Sequence, residues 1–239
     1  MTEEAWLWFY VAVMAAGALV ILAWSRQPRG VPHFEYAAGA FIPIWSGLAY
    51  MAMALGQGII EVDGREVYLA RYIDWVVTTP LLLGGLAWTA MFYVKKHVSL
   101  IVALMGADVI MILSGLFADL SPDGPVKWLW YVIGCVSLAI IFFVTWGPLR
   151  RIAASQGAEV GSAYKKVAGY LSVLWVGYPL VWALGPSGLG VIGSMTDVAL
   201  FVILPIFSKV GFSLLDLHEL RKLGSQRAAP SADTSPAVA

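Results

Sequence analysis

Seven uninterrupted apolar stretches constrain this chain more than any other feature, because each matches the ~20 residues that a helix needs to cross roughly 30 Å of hydrocarbon. They run approximately over 5–24, 34–55, 68–92, 100–120, 126–146, 167–184 and 191–217. With 60% hydrophobic residues against 13% charged, the chain is too apolar for an ordinary soluble domain. The expected fold is an all-α membrane protein, a seven-transmembrane-helix bundle. Pro43, Pro80, Pro179 and Pro205 fall inside spans, where neighbouring helices and side chains can satisfy the carbonyls they free.

One soluble motif intrudes. In "EVDGREV", residues 61–67, Asp-Gly stands between β-branched residues, which predicts a small β-hairpin in the loop joining helices 2 and 3. "GLGVIG" at 188–193 matches a dinucleotide-binding glycine pattern, but no strand precedes it, so it is read as a chance match. The spacing of the spans predicts a membrane domain over 1–223. From Gly224 the chain is rich in Ser, Ala and Pro, and a disordered tail is expected over 224–239. Cys135, the sole cysteine, can form no internal disulfide.

Eleven of the fifteen basic residues fall on one side: Arg26, Arg29, Lys95, Lys96, Arg150, Arg151, Lys165, Lys166, Arg221, Lys222 and Arg227. The positive-inside rule makes that side cytoplasmic. The opposite loops hold Arg65 and Lys127 among acidic residues, so the N-terminus is outside and the C-terminus inside. The acidic start also argues against a cleaved signal peptide.

Inside the spans remain Arg71, Asp74, Asp108 and Lys209, with Asp197 and Asp216 nearer the ends. Intramembrane ionisable groups are functional candidates because their burial is costly. Arg71, Asp74 and Thr78 share one face of helix 3. Asp216 lies two turns beyond Lys209, roughly 10 Å along the helix, and Asp197 about 18 Å before it. Blander roles are open to each: a structural Asp–Lys pair, a helix-to-helix hydrogen bond for Asp108, interfacial solvation for Asp197 and Asp216. His33, Glu35, His218 and Glu219 border the spans and are expected to be surface groups; no cluster has metal-ligand spacing.

A lysine at the bilayer midplane can condense with an aldehyde to a Schiff base, given a carboxylate nearby and an apolar cavity. Trp175, Tyr178 and Trp182 form an aromatic face on helix 6, and Tyr72 and Trp75 flank Asp74. Such a stripe alone is more often packing than a cofactor box. Beside Lys209 and Asp74 it gains weight.

The motifs "ARYIDWVVTTPLLL" at 70–83, "LWVGYPLVW" at 174–182 and "SKVGF" at 208–212 resemble the third-helix, sixth-helix and retinal-lysine signatures of the microbial rhodopsins, over all seven spans. The resemblance implies all-trans retinal as a protonated Schiff base on Lys209, with Asp74 as primary counterion. It implies a pocket that includes Trp75, Thr79, Met111, Trp175, Tyr178, Trp182 and Pro205, with Asp108 beside it. Arg71, Thr78, Asp197 and Asp216 are the further proton-handling candidates. Light would isomerise the retinal to 13-cis and start proton transfer. The expected setting is the cell inner (plasma) membrane, with retinal, protons and lipid as partners, a homo-oligomer such as a trimer, no nucleic acid, and no enzymatic turnover.

Departures from the outward proton pump narrow the expectation. The second counterion position, four residues before the lysine, is Pro205, and the cytoplasmic donor position, eleven after Asp74, is Gly85. Of the outer pair of release glutamates, one position matches Asp197 and the other Ser187. Pro205, Asp216, "RGVPHFEY" and "FIPIWSGLAYMAMA" resemble the xenorhodopsin branch, which also includes the Anabaena-type sensory rhodopsin. The expected activity is a light-driven inward proton pump, with Asp216 as cytoplasmic acceptor or relay. The alternative is a photosensor read by a soluble cytoplasmic transducer.

Overall fold

The computed structural model describes residues 2–228. Among the described residues seven helices are long and apolar enough to cross a membrane. They are α1 (Glu3–Ser25), α2 (His33–Ala54), α3 (Leu69–Ala90), α4 (Val98–Leu120), α5 (Pro125–Ser155), α6 (Ala158–Leu184) and α7 (Ser194–Pro205, continued by Ile206–Gly211 and Phe212–Ala228). Thr2 caps α1 by accepting from the Ala5 backbone N–H at 3.2 Å, and Glu3 and Glu4 lie in its first turn, where negative charge suits the helix dipole.

The helices are sorted by burial. The apolar window of α3 is 61% buried and that of α7 50%, against 22% for α4, so α3 and α7 form the centre and α4 the lipid-facing flank. Large apolar residues such as Phe143 and Val173, 72% and 76% exposed, point outward. In hydrocarbon that is the stable arrangement rather than a liability. Gly17 lets α1 approach α7 beside Lys209: a Cβ there would lie 2.6 Å from Val210 Cγ1.

Between α2 and α3, β1 (Ile60–Val62) pairs antiparallel with β2 (Arg65–Val67), Glu61 opposite Glu66. Asp63 and Gly64 both take positive φ, 51° and 75°, as a two-residue hairpin turn twisted with its strands requires. The expected hairpin is present.

Two segments wind as π-helix: Thr145–Leu149 inside α5 and Ile206–Gly211 inside α7. The first contains Pro148 and the second follows directly on Pro205. The carbonyl that Pro205 leaves without a helical donor, Phe201 O, accepts from Tyr50 Oη at 2.6 Å. Tyr170 Oη donates to Phe207 O at 3.1 Å inside the second π turn.

The helices outrun the apolar runs on the cytoplasmic side. Arg150, Arg151, Lys165 and Lys166, expected in a loop, are helical, and only Gln156 and Gly157 separate α5 from α6. The tail expected from Gly224 is helical over 224–228; its remainder lies outside the described residues. The reason is packing. Gly30 and Gly224 meet so closely that a Cβ on Gly30 would lie 2.8 Å from Gly224 O, and Arg221 Nη1 donates to Trp24 O at 2.9 Å.

Candidate functional site

The π turn in α7 carries Lys209 into the bundle's centre, where it is wholly buried. Its Nζ donates to Asp74 Oδ2 on α3 and, at 2.9 Å, to Ser46 Oγ on α2. Ser46 donates its one proton to the same Asp74 oxygen at 2.7 Å. The 2.6 Å bond between Ser46 and Tyr10 therefore has Tyr10 as donor. The Thr78 hydroxyl lies 3.1 Å from Asp74 Oδ1 and 2.9 Å from the Asp74 carbonyl oxygen, so its one proton is shared between them. The buried pair is thus hydrogen-bonded on both sides, the condition under which buried charges are tolerated.

A cavity with an almost wholly apolar lining adjoins this cluster, the character usual for small-molecule sites. Trp75, Thr79, Met111, Trp175, Tyr178 and Trp182 all line it, with Tyr72, Gly115, Gly134 and Phe201. Lys209 is not in its wall, since its ammonium is drawn to Asp74. The residue before it is tied to the wall, however: Ser208 and Tyr178 hydroxyls lie 2.6 Å apart. Pro205, one turn earlier and expected in the pocket, is buried but does not line this cavity, which is walled instead mainly from the neighbouring helices. Asp108 is buried outside the cavity's lining, its Oδ2 2.7 Å from the hydroxyl of Thr79, which does line it.

On the outer side, Arg71 Nη1 reaches Asp197 Oδ2 at 3.4 Å, and the guanidinium lies over the rings of Phe201 and Tyr68, 4.2 and 4.7 Å from their centroids. Asp197 is buried, not solvated at the interface. On the cytoplasmic side, Asp216 is buried and its Oδ1 accepts from Thr89 Oγ1 at 2.6 Å. A Cβ added at Gly85 would lie 3.4 Å from Asp216 Oδ2. The α7 carboxylate therefore fills the space toward which a side chain at position 85 would grow.

Several residues depart from their expected settings. Glu35 is buried and shares a small cavity with Asp216. Glu219 is buried too, held by Lys166 at 2.7 Å and Lys222 at 3.5 Å. Lys127, assigned to an outer loop, begins α5, is buried, and pairs with Asp123 at 2.6 Å. Beside the cytoplasmic mouth, burial pushes the Lys96 amine below its ordinary value, with Glu35 opposing. Sequence reasoning passed over Ser46 and Asp119 entirely. Serine carries no charge to mark it, and Asp119 sits one residue from the end of an apolar run, where an acid usually meets water.

A profile of bacteriorhodopsin-like proteins matches residues 1–223. Bacteriorhodopsin of Halobacterium salinarum is 33% identical to this chain over 245 residues, covering 99% of it and 91% of the relative. The chain belongs to the bacteriorhodopsin-like family of microbial rhodopsins. Archaerhodopsin-3 of Halorubrum sodomense is 32% identical over 244 residues, covering 99% of this chain and 93% of that protein. Among solved structures, the thermophilic rhodopsin from Rubrobacter xylanophilus superposes with a TM-score of 0.89 at 34% identity, over 94% of this chain and 98% of that one. The light-driven proton pump of Coccomyxa subellipsoidea gives 0.83 at 30% identity, over 90% and 96%.

Members of this bacteriorhodopsin-like family hold retinal as a Schiff base on a lysine, and the residues present suit that group. A buried primary amine stands beside a carboxylate, and next to it lies a cavity walled largely by aromatic rings. The protein is accordingly a multi-pass membrane protein of a family that includes light-driven ion pumps.

Proposed function

We propose that this bacteriorhodopsin-like protein is a light-driven inward proton pump of the xenorhodopsin type, seated in the plasma membrane and moving protons from the outside to the cytoplasm. Lys209 carries the retinal and Asp74 balances its positive charge. When bound, retinal would supply a light-isomerisable polyene, condensed through its aldehyde carbon with the Lys209 amine, so that isomerisation would move the lysine nitrogen and its proton. The protein's part is to hold that nitrogen between unlike surroundings.

The observation that carries the direction is the setting of Asp216. On the outer side each buried carboxylate near the lysine already faces a cation: Asp74 faces Lys209, and Asp197 faces Arg71. Position 205, where a second counterion would stand, is proline. Among the described residues Asp216 has a hydroxyl donor, Thr89, and no cation within salt-bridge distance. A positioned carboxylate of that kind is a suitable acceptor. Its proton leaves past Glu35, which shares its cavity.

Time-resolved infrared difference spectroscopy tests this reading. A carboxylic-acid C=O band should appear as the lysine nitrogen loses its proton, and it should vanish in Asp216→Asn while persisting in Asp108→Asn. A band that survives in Asp216→Asn and is lost in Asp74→Asn would place the acceptor on the outer side.

A further inference from the structure

The outer end of the bundle holds a buried ion pair that the pumping cycle leaves unused. Arg65 leaves the hairpin's second strand and reaches the last turn of α4, where its Nη1 meets Asp119 Oδ1 at 2.6 Å. Its Nη2 donates to the carbonyl of Asp119 and, at 3.3 Å, to that of Ser121. A helix leaves its last carbonyls without intrahelical donors, so Arg65 caps α4 as well as pairing with it.

The second carboxylate oxygen points inward. Asp119 Oδ2 accepts from Tyr72 Oη at 3.1 Å, and the Tyr72 oxygen accepts from Trp182 Nε1 at 3.1 Å. Tyr72 and Trp182 are both walls of the retinal cavity. Gly115, one turn before Asp119, is a third, and the Tyr72 ring lies against α4 there: a Cβ on Gly115 would be in ordinary contact with Cε1 at 3.5 Å. Trp182 in turn stacks on Tyr131, with centroids 5.0 Å apart. The donors run one way, indole to phenol to carboxylate, with the arginine closing the far end.

We propose that Arg65 and Asp119 are positioning residues for the chromophore: the ion pair between the hairpin and α4 fixes the orientation of Tyr72 and Trp182 through this directed chain, and so sets the colour and thermal persistence of bound retinal. The inference rests on the retinal reading of the site. Asp119 touches no ligand itself; it acts through the phenol. The rival route is through space, by the charge of Asp119 acting on Arg71 and the lysine nitrogen.

The experiment reconstitutes the full chain with all-trans retinal and reads the absorption maximum and the dark rate of chromophore loss at raised temperature. The wild-type band checks the retinal reading separately from the variants. Asp119→Leu should shift the band and speed chromophore loss about tenfold, the size of one buried hydrogen bond. Tyr72→Phe should do the same in direction and size, and the double variant should be no worse than either single one, since both cut one chain. Asp119→Asn keeps one oxygen acceptor for Tyr72 but loosens the hold of Arg65, so its band should be displaced less than that of Asp119→Leu.

Effects that add in the double variant, or an Asp119→Asn band displaced as far as that of Asp119→Leu, would overturn the proposal in favour of through-space charge. If Asp119→Leu does not fold, Arg65→Gln leaves the carboxylate in place and should still speed chromophore loss. An unchanged rate there would overturn the proposal as well.

Discussion

At the scale of single residues, the site is a contest over one proton-bearing nitrogen. Lys209 is the one described lysine at the centre of a span, and it adjoins the aromatic cavity. Lys209→Ala protein mixed with all-trans retinal should show no visible absorption band even when folded, because the covalent link needs this amine; absorption spectroscopy checks it. Asp74→Asn should move the band and make the nitrogen lose its proton at lower pH, since its nearest negative charge is gone. A spectrophotometric titration reads that change, and Pro205 offers no second carboxylate to soften it. The charged members of this cluster were legible in the sequence because an ion inside an apolar run is conspicuous. Ser46 was not, although it bridges Lys209 and Asp74. Its role depends on α2 lying against α3, which no local pattern in the chain announces. Glu35 and Glu219 misled for the opposite reason: near the end of a run, acids look solvated, and only packing by neighbouring helices buries them.

At the scale of elements, hydropathy located every span but not its ends. A hydropathic run stops where charge begins, whereas a helix stops where its backbone loses hydrogen-bond partners. Thus α5 and α6 continue through Arg150, Arg151, Lys165 and Lys166, residues that are compatible with helix although not with lipid. The hairpin was legible because Asp63-Gly64 supplies the two positive φ values its turn needs. The π turns were not, and the one in α7 has a specific support. Tyr50 donates to the Phe201 carbonyl that Pro205 leaves free. Tyr50→Phe should therefore lower thermal stability by about 1–3 kcal/mol, the cost of an unsatisfied buried acceptor. Thermal unfolding in detergent, followed by circular dichroism, checks it. Because this support lies one turn from Lys209, the same variant should also shift the visible band.

At the scale of the whole molecule, the bundle is unsymmetrical about its lysine. Arginines meet the outer acids, Arg71 with Asp197 and Arg65 with Asp119, while Asp216 on the cytoplasmic side has a threonine and a neighbouring glutamate. The positive-inside rule decides which side is which, and with it the direction in which a proton released toward Asp216 travels. The most direct test is the light-induced pH change of an unbuffered suspension of cells expressing the protein with retinal. Inward pumping requires the medium to become more alkaline on illumination, and a protonophore must abolish the signal because it dissipates the gradient. Acidification of the medium by the wild-type protein would contradict the account, and a complete photocycle with no pH change would assign the protein to signalling instead.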